Sequence, residues 1–176
     1  MDFKDNLKLG KAGEEKVFTY LNNLPDTVAV VDCSESKLFQ RFGVDGWVVF
    51  DRENLPFSGM FFDVKTDYQF YRTGKLFVEI MANVNANKKG GILSTKAEVF
   101  YYYDPYGGDL YRMPIYALRQ WYKRVGISMN HREVENEYGQ VTTGVLVSPE
   151  DLEAEGVFVQ KTNIGYLVSP NHSEVA

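Results

Sequence analysis

Four charged residues stand where a folded chain has little reason to put them: Glu14, Asp45, Asp63 and Lys65. Glu14 lies in GKAGEEKVFTYLNNL, where Val17, Phe18, Leu21 and Leu24 repeat at helical spacing. On a wheel of about 100° per residue, their mean direction falls about 30° from Glu14 and about 130° from Glu15. Glu14 therefore projects toward the core and Glu15 toward water. A carboxylate facing inward needs a partner, because burying bare charge is costly. A basic side chain, the first-turn dipole or a cation would each serve. Asp45 sits in GVDGWVVF, with apolar residues on both alternating faces. That pattern marks a strand covered on both sides, where a lone Asp is out of place. Asp63, in GMFFDVKTD, is equally anomalous, and Lys65 two residues on shares its face. An Asp63–Lys65 ion pair is the plainest account of those two.

The turn DRENLP brings the acids together. A tight antiparallel hairpin centred on Asn54 sets Asp45 opposite Asp63, with Cβ atoms about 5 Å apart. A bulge would shift that register by one residue. Like charges directly opposite destabilise a hairpin, so the pair calls for a cation. With Glu14 added, the ligands are all oxygens, the set a hard divalent metal takes. With only His131, His172 and Cys33 available, a Cys/His zinc site is excluded.

The elements that would position these residues read as one mixed α/β domain over residues 1–176. A helix over 8–24 ends at Pro25. A strand near Val28–Val31 precedes the two hairpin strands, Val44–Phe50 and Met60–Lys65. A second hairpin at Thr73-Gly74 feeds KLFVEIMAN, and Thr95–Glu98 reads as a short capped helical turn after KKGG. Strands EVFYYY and DLYRM flank the DPYGG turn; alternation gives Tyr101, Tyr102 and Tyr103 one core face. Pro114 opens a helix with Ile115, Leu118, Tyr122 and Val125 on one face, stopped at Gly126. A strand TTGVLV and a helix at Ser148-Pro149 follow, and the tail 169–176 reads as frayed.

The net charge of −5 does not exclude nucleic acid, because the acidity is uneven. Residues 101–176 hold 6 Lys/Arg against 10 Asp/Glu, whereas residues 1–100 hold 13 against 14. Between 66 and 96, the basic residues Arg72, Lys75, Lys88, Lys89 and Lys96 face only Asp67 and Glu79. A local basic surface can hold phosphates despite the total. A single cysteine, no apolar N-terminal run and no stretch long enough for a membrane span fit the cytoplasm, the host's for a phage-encoded chain.

In order and context, Glu14, Asp45 and Asp63-Val64-Lys65 resemble the PD-(D/E)XK nuclease superfamily. GKAGEEKVFTYL is similar to its first-helix motif, GVDGWVVF to the strand with the first acid, and FFDVKTD to the acid-x-Lys strand. The resemblance runs over about residues 8–157, and TGKLFVEI with GGILSTKAEVFYYY is similar to small phage and bacterial nucleases, including Holliday-junction resolvases. The Pro common before the first acid is replaced by Val44. The resemblance implies a restriction-endonuclease-like core: a helix, then a mixed sheet with the active-site hairpin, flanked by helices. It implies Mg2+ or Mn2+ on Asp45 and Asp63, with Glu14 on the metal or its water, and Lys65 orienting the attacking water. The expected activity is hydrolysis of DNA phosphodiesters. Glu79 is a secondary candidate ligand and Lys96 a phosphate contact at a helix N-terminus. A non-cleaving nucleic-acid-binding module is the alternative, and an interaction protein using the acidic stretch Glu133–Glu155 a third. Substrate structure, and monomer against homodimer, stay open.

Overall fold

The N-terminal amphipathic run forms α1 (Phe3–Asn22), which stops three residues before Pro25, whose ring cannot continue it. The computed structural model describes residues 3–52, 55–135 and 139–167. After α1 come β1 (Thr27–Asp32), α2 (Lys37–Phe42), β2 (Gly46–Arg52), β3 (Leu55–Thr66) and α3 (Phe70–Thr73). Next are β4 (Leu76–Asn83), β5 (Lys88–Lys89), α4 (Gly91–Ser94), β6 (Val99–Tyr103) and β7 (Asp109–Pro114). The chain ends with α5 (Ile115–Arg124), a 3-10 turn, β8 (His131–Glu135), β9 (Val141–Val147), α6 (Pro149–Ala154) and β10 (Gln160–Asn163).

These strands make a six-stranded sheet, in the order β1-β2-β3-β6-β7-β10, and a four-stranded sheet, β5-β4-β9-β8. Among the described residues, only β3 and β6 pair in parallel. Parallel neighbours need a long crossover, and residues 67–98 supply it, carrying β4 and β5 with them. The result is a mixed α/β fold with helices against a mixed sheet.

The larger sheet is covered on both faces. On one, Val17 and Leu21 of α1 pack with Val48, Phe62, Val64, Tyr101 and Tyr103. On the other, Phe100, Tyr102 and Met113 share a cluster with Leu76 and Val78 of β4 and with Leu118 and Trp121 of α5. The three tyrosines therefore face core on both sides, not on one as alternation suggested, because β6 lies mid-sheet between two covering layers.

The β2–β3 register follows the expected centre at Asn54: Gly46 pairs with Phe62, Trp47 with Phe61 and Val48 with Met60. It shifts only near the turn, between Phe50 and Arg52. Two local expectations fail. Thr73-Gly74 closes α3 instead of a hairpin: Phe70 is buried and Gly74 takes the left-handed conformation (φ 62°). Residues 95–98 form no helical turn, because long-range partners replace the capping box. The Thr95 hydroxyl donates to the Gly43 carbonyl and accepts from Ala97 N–H, while the Glu98 carboxylate accepts from Phe61 N–H at 2.9 Å. The helix at Ser148-Pro149 forms as expected, Ser148 Oγ accepting from Asp151 N–H at 3.1 Å. The tail over 169–176 lies outside the described residues.

Candidate active site at the open end of the hairpin

Asp45 immediately precedes β2 and is tied down on three sides. Its N–H donates to the Phe62 carbonyl at 3.0 Å, and its carbonyl accepts from Cys33 N–H at 2.8 Å. Its Oδ2 accepts from Val64 N–H at 2.7 Å, taking the place of a backbone carbonyl where the ladder ends. On β3, Phe62 and Val64 fill the core under α1, which turns Asp63 and Lys65 to the other face. There the Asp63 and Asp45 carboxyls come within hydrogen-bonding reach of each other. Burial raises the pKa of Asp63 well above the carboxylate range. The Asp45 charge raises it further, and Lys65 only partly offsets this. Burial also raises Asp45, against the Val64 N–H bond that favours its charged form. For both carboxyls the direction is upward: burial disfavours two adjacent negative charges.

Glu14 approaches from α1. Its predecessor Gly13 lies so close to Thr66 of β3 that a Cβ there would overlap the threonine side chain. Glycine at 13 therefore lets α1 sit down on the end of β3 and sets the height of Glu14. As the helical wheel required, Glu14 is half-buried and Glu15 exposed. Burial first, then the charges of Asp45 and Asp32, push the Glu14 pKa up to about 7, while Lys11 pulls it down. A groove of about 370 Å³ opens beside it, lined by Lys11, Glu14, Glu15, Phe18, Thr19 and Asp32. A second cavity, of about 250 Å³, lies between α1 and the sheet around Tyr20, Tyr101 and Arg112 and includes none of these acids.

Beyond Lys65 the row continues into the four-stranded sheet. Glu79 of β4 is half-buried; burial raises its pKa, and Lys65, Gly91 N–H and Lys88 lower it. The KKGG loop closes directly on it, since a Cβ at Gly90 would overlap Glu79 Oε1 and one at Gly91 would overlap the Glu79 backbone. The fold thus sets Asp45, Asp63 and Lys65 in a row at the hairpin end, with Glu79 at the far side, while Glu14 comes from α1 on the opposite face, near enough to feel the Asp45 charge. Asp32 is a member that sequence reasoning passed over. Its carboxylate accepts from Ser34 N–H at 2.8 Å and from Ser34 Oγ at 2.6 Å. Asp32 reaches the site because it pairs with Gly46, next to Asp45, in the β1–β2 register, which no local sequence pattern gives.

The basic residues are spread more widely. Lys88 and Lys89 form β5 beside Glu79, and Arg72 and Lys75 flank the start of β4; all four are exposed. Lys96 is exposed too, but it follows the C-terminal end of α4 instead of opening a helix. Its N–H is already used by the Phe42 carbonyl at 2.6 Å, so the expected helix-terminal phosphate contact is absent. Among the described residues, no group of three or more His, Cys, Asp or Glu side chains is arranged so that it could hold a metal ion as it stands. The acids form a row, not a closed cage. Among the described residues, no helix is long and apolar enough to cross a membrane. Comparison with protein-family models, with curated proteins and with solved structures finds no match to this chain.

Proposed function

We propose that this chain is a metal-dependent nuclease with a restriction-endonuclease-like core, hydrolysing DNA phosphodiester bonds at the hairpin end. The observation that carries the reading is the Asp45–Asp63 pair: two carboxyls side by side, without a direct ion pair among the described residues, and Lys65 on the same face. Structural economy does not favour such a pair, since like charges in contact weaken the sheet that bears them. A hard divalent cation on oxygen ligands turns that cost into binding energy. The donor chemistry of two adjacent carboxyls suits such an ion, although Glu14 does not close on the pair as it stands. Asp45 and Asp63 would hold it directly, and Glu14 would join from α1. Bound there, Mg2+ or Mn2+ supplies Lewis-acid polarisation of a phosphoryl oxygen and a more acidic water.

The chain's own groups divide the remaining work. Lys65 places a positive charge beside Asp63, where it orients the attacking water and offsets negative charge gathering on the phosphorus oxygens. Asp45 is held by Val64 N–H through one oxygen, which leaves the other for the ion. Glu79 tethers the Lys65 side of the row to the KKGG loop. The exposed lysines of β5 give the DNA backbone a landing place near that end. The test is a panel of duplex, single-stranded and branched DNA incubated with magnesium, with Asp63→Ala as control. Magnesium-dependent cleavage lost in the variant is the expected result. Binding without cleavage on every substrate would leave the non-cleaving reading in its place.

A further inference from the structure

Three tyrosine rings cluster past the C-terminal ends of the parallel neighbours β3 and β6. Tyr71 and Tyr106 have centroids 5.7 Å apart with planes tilted by 42°, and Tyr106 meets Tyr68 edge-on at 5.8 Å. Packing explains Tyr68 and Tyr106, which are half-buried, but not Tyr71, which is 62% exposed. Each ring stands on separate rigid support. Tyr68 hydroxyl donates to the Leu9 carbonyl of α1 at 3.2 Å. Tyr106 N–H donates to Asp104 Oδ1 at 3.0 Å within the DPYGG turn. Tyr71 rides on α3, which is fixed at its start by Gln69 N–H donating to Asp67 Oδ1 at 2.7 Å and closed by Gly74.

The charge around the rings is also selective. Asp67 is occupied by Tyr102 and Gln69, Asp104 by the DPYGG turn, and Asp109 by Lys161 at 2.7 Å. Arg72 and Lys75, both exposed, form no direct ion pair among the described residues. Arg72 Nη2 donates to Gln69 Oε1 at 2.7 Å, a neutral partner that leaves its charge unpaired. Aromatic faces flanked by cations without an acidic partner are the chemistry of sequence-tolerant single-strand binding, because unpaired bases offer a free π-face and duplex bases do not. We propose that Tyr71, backed by Tyr106 and Tyr68, is a stacking platform for unpaired nucleic acid, over which the strand runs on from the acid row. Tyr68 lies five residues after Asp63, hence within about 17 Å of it, a reach of a few nucleotides. The inference rests on the nuclease reading and names the form of its substrate. Rings already held in place lose little freedom when a base stacks on them.

The test measures affinity for an oligothymidylate and for a duplex by fluorescence anisotropy in calcium, which fills oxygen-ligand sites without supporting cleavage. Tyr71→Ala should weaken single-strand binding by about 5- to 150-fold, one stacked base, and change duplex binding by less than about two-fold. Tyr71→Trp should retain single-strand affinity, since it keeps a face to stack on. Single-strand affinity within about two-fold of the parent in Tyr71→Ala, equal losses on both substrates, or no single-strand binding by the parent would each overturn the platform. The two readings separate cleanly. Tyr71-dependent binding with no magnesium-dependent cleavage removes the nuclease and keeps the platform, and cleavage with Tyr71-independent binding does the reverse.

Discussion

Asp45 and Asp63 stand side by side, each with its pKa raised by burial, and that arrangement makes the site's residues testable without any substrate. Replacing Asp63 with Ala removes one member of a like-charge contact. In chelator at pH 8 the melting temperature of Asp63→Ala should match or exceed the parent's, while magnesium-dependent cleavage disappears. A fall of more than about 4 °C, corresponding to about 1–2 kcal/mol in a chain this size, would instead mark Asp63 as half of a structural ion pair. Glu14 gives the pH dependence. Its folded pKa of about 7 lies above the ordinary 4.5, so between those values the folded chain holds a proton that the unfolded chain has lost. That contribution to stability is present below about 4.5 and is lost as the pH rises to about 7. Glu14→Gln should therefore flatten the stability profile across that window and lie above the parent at pH 8. Parallel profiles, with the variant the less stable, would show that a basic partner holds the carboxylate.

At the level of elements, two glycines in α1 make opposite demands. A Cβ at Gly13 would overlap Thr66, whereas one at Gly10 meets nothing within 4 Å. Gly10→Ala should stabilise by about 0.5–1 kcal/mol through helix propensity alone. Gly13→Ala should cost about 1–3 kcal/mol as α1 lifts off β3, and should cut cleavage by more than the stability loss explains, because Glu14 lifts with it. Equal effects of the two substitutions on melting temperature and rate would show that α1 does not set the site's geometry. The same elements show what a sequence makes legible. Helical periodicity placed Glu14 on the inward edge, and two-residue alternation with one turn placed Asp45 against Asp63; both arguments are local. At residues 95–98 local reasoning failed, because Gly43 and Phe61, more than thirty positions away, offered the hydrogen bonds that a capping box would have supplied internally. Trp121 of α5, fully buried, was likewise missed beside the expected Tyr122 and Val125, since the helix packs against a sheet whose position periodicity does not reveal.

For the whole molecule, charge placement outweighs charge total. The acidic second half includes the exposed edge strand β8 and helix α6, while Lys88 and Lys89 adjoin Glu79 at the site. Affinity for duplex DNA in calcium should fall with salt, each phosphate contact adding about 0.9 to the log–log slope. Replacing Lys88 and Lys89 with Ala should lower that slope and weaken binding alike across unrelated sequences. An unchanged slope would take the KKGG loop off the binding surface. Nothing local indicated that β3 and β4 would enter different sheets, because alternation says which residues share a face but not which strands become neighbours.

The order of strands in the larger sheet follows the order of the chain, from β1 at one edge to β10 at the other. β1 and β10 thus stand five strand spacings apart, about 24 Å at the usual interval. β3, which bears Asp63 and Lys65, lies inside this sheet, with β2 on one side and β6 on the other. This architecture ties the carboxyl row to an uninterrupted path from one edge to the other.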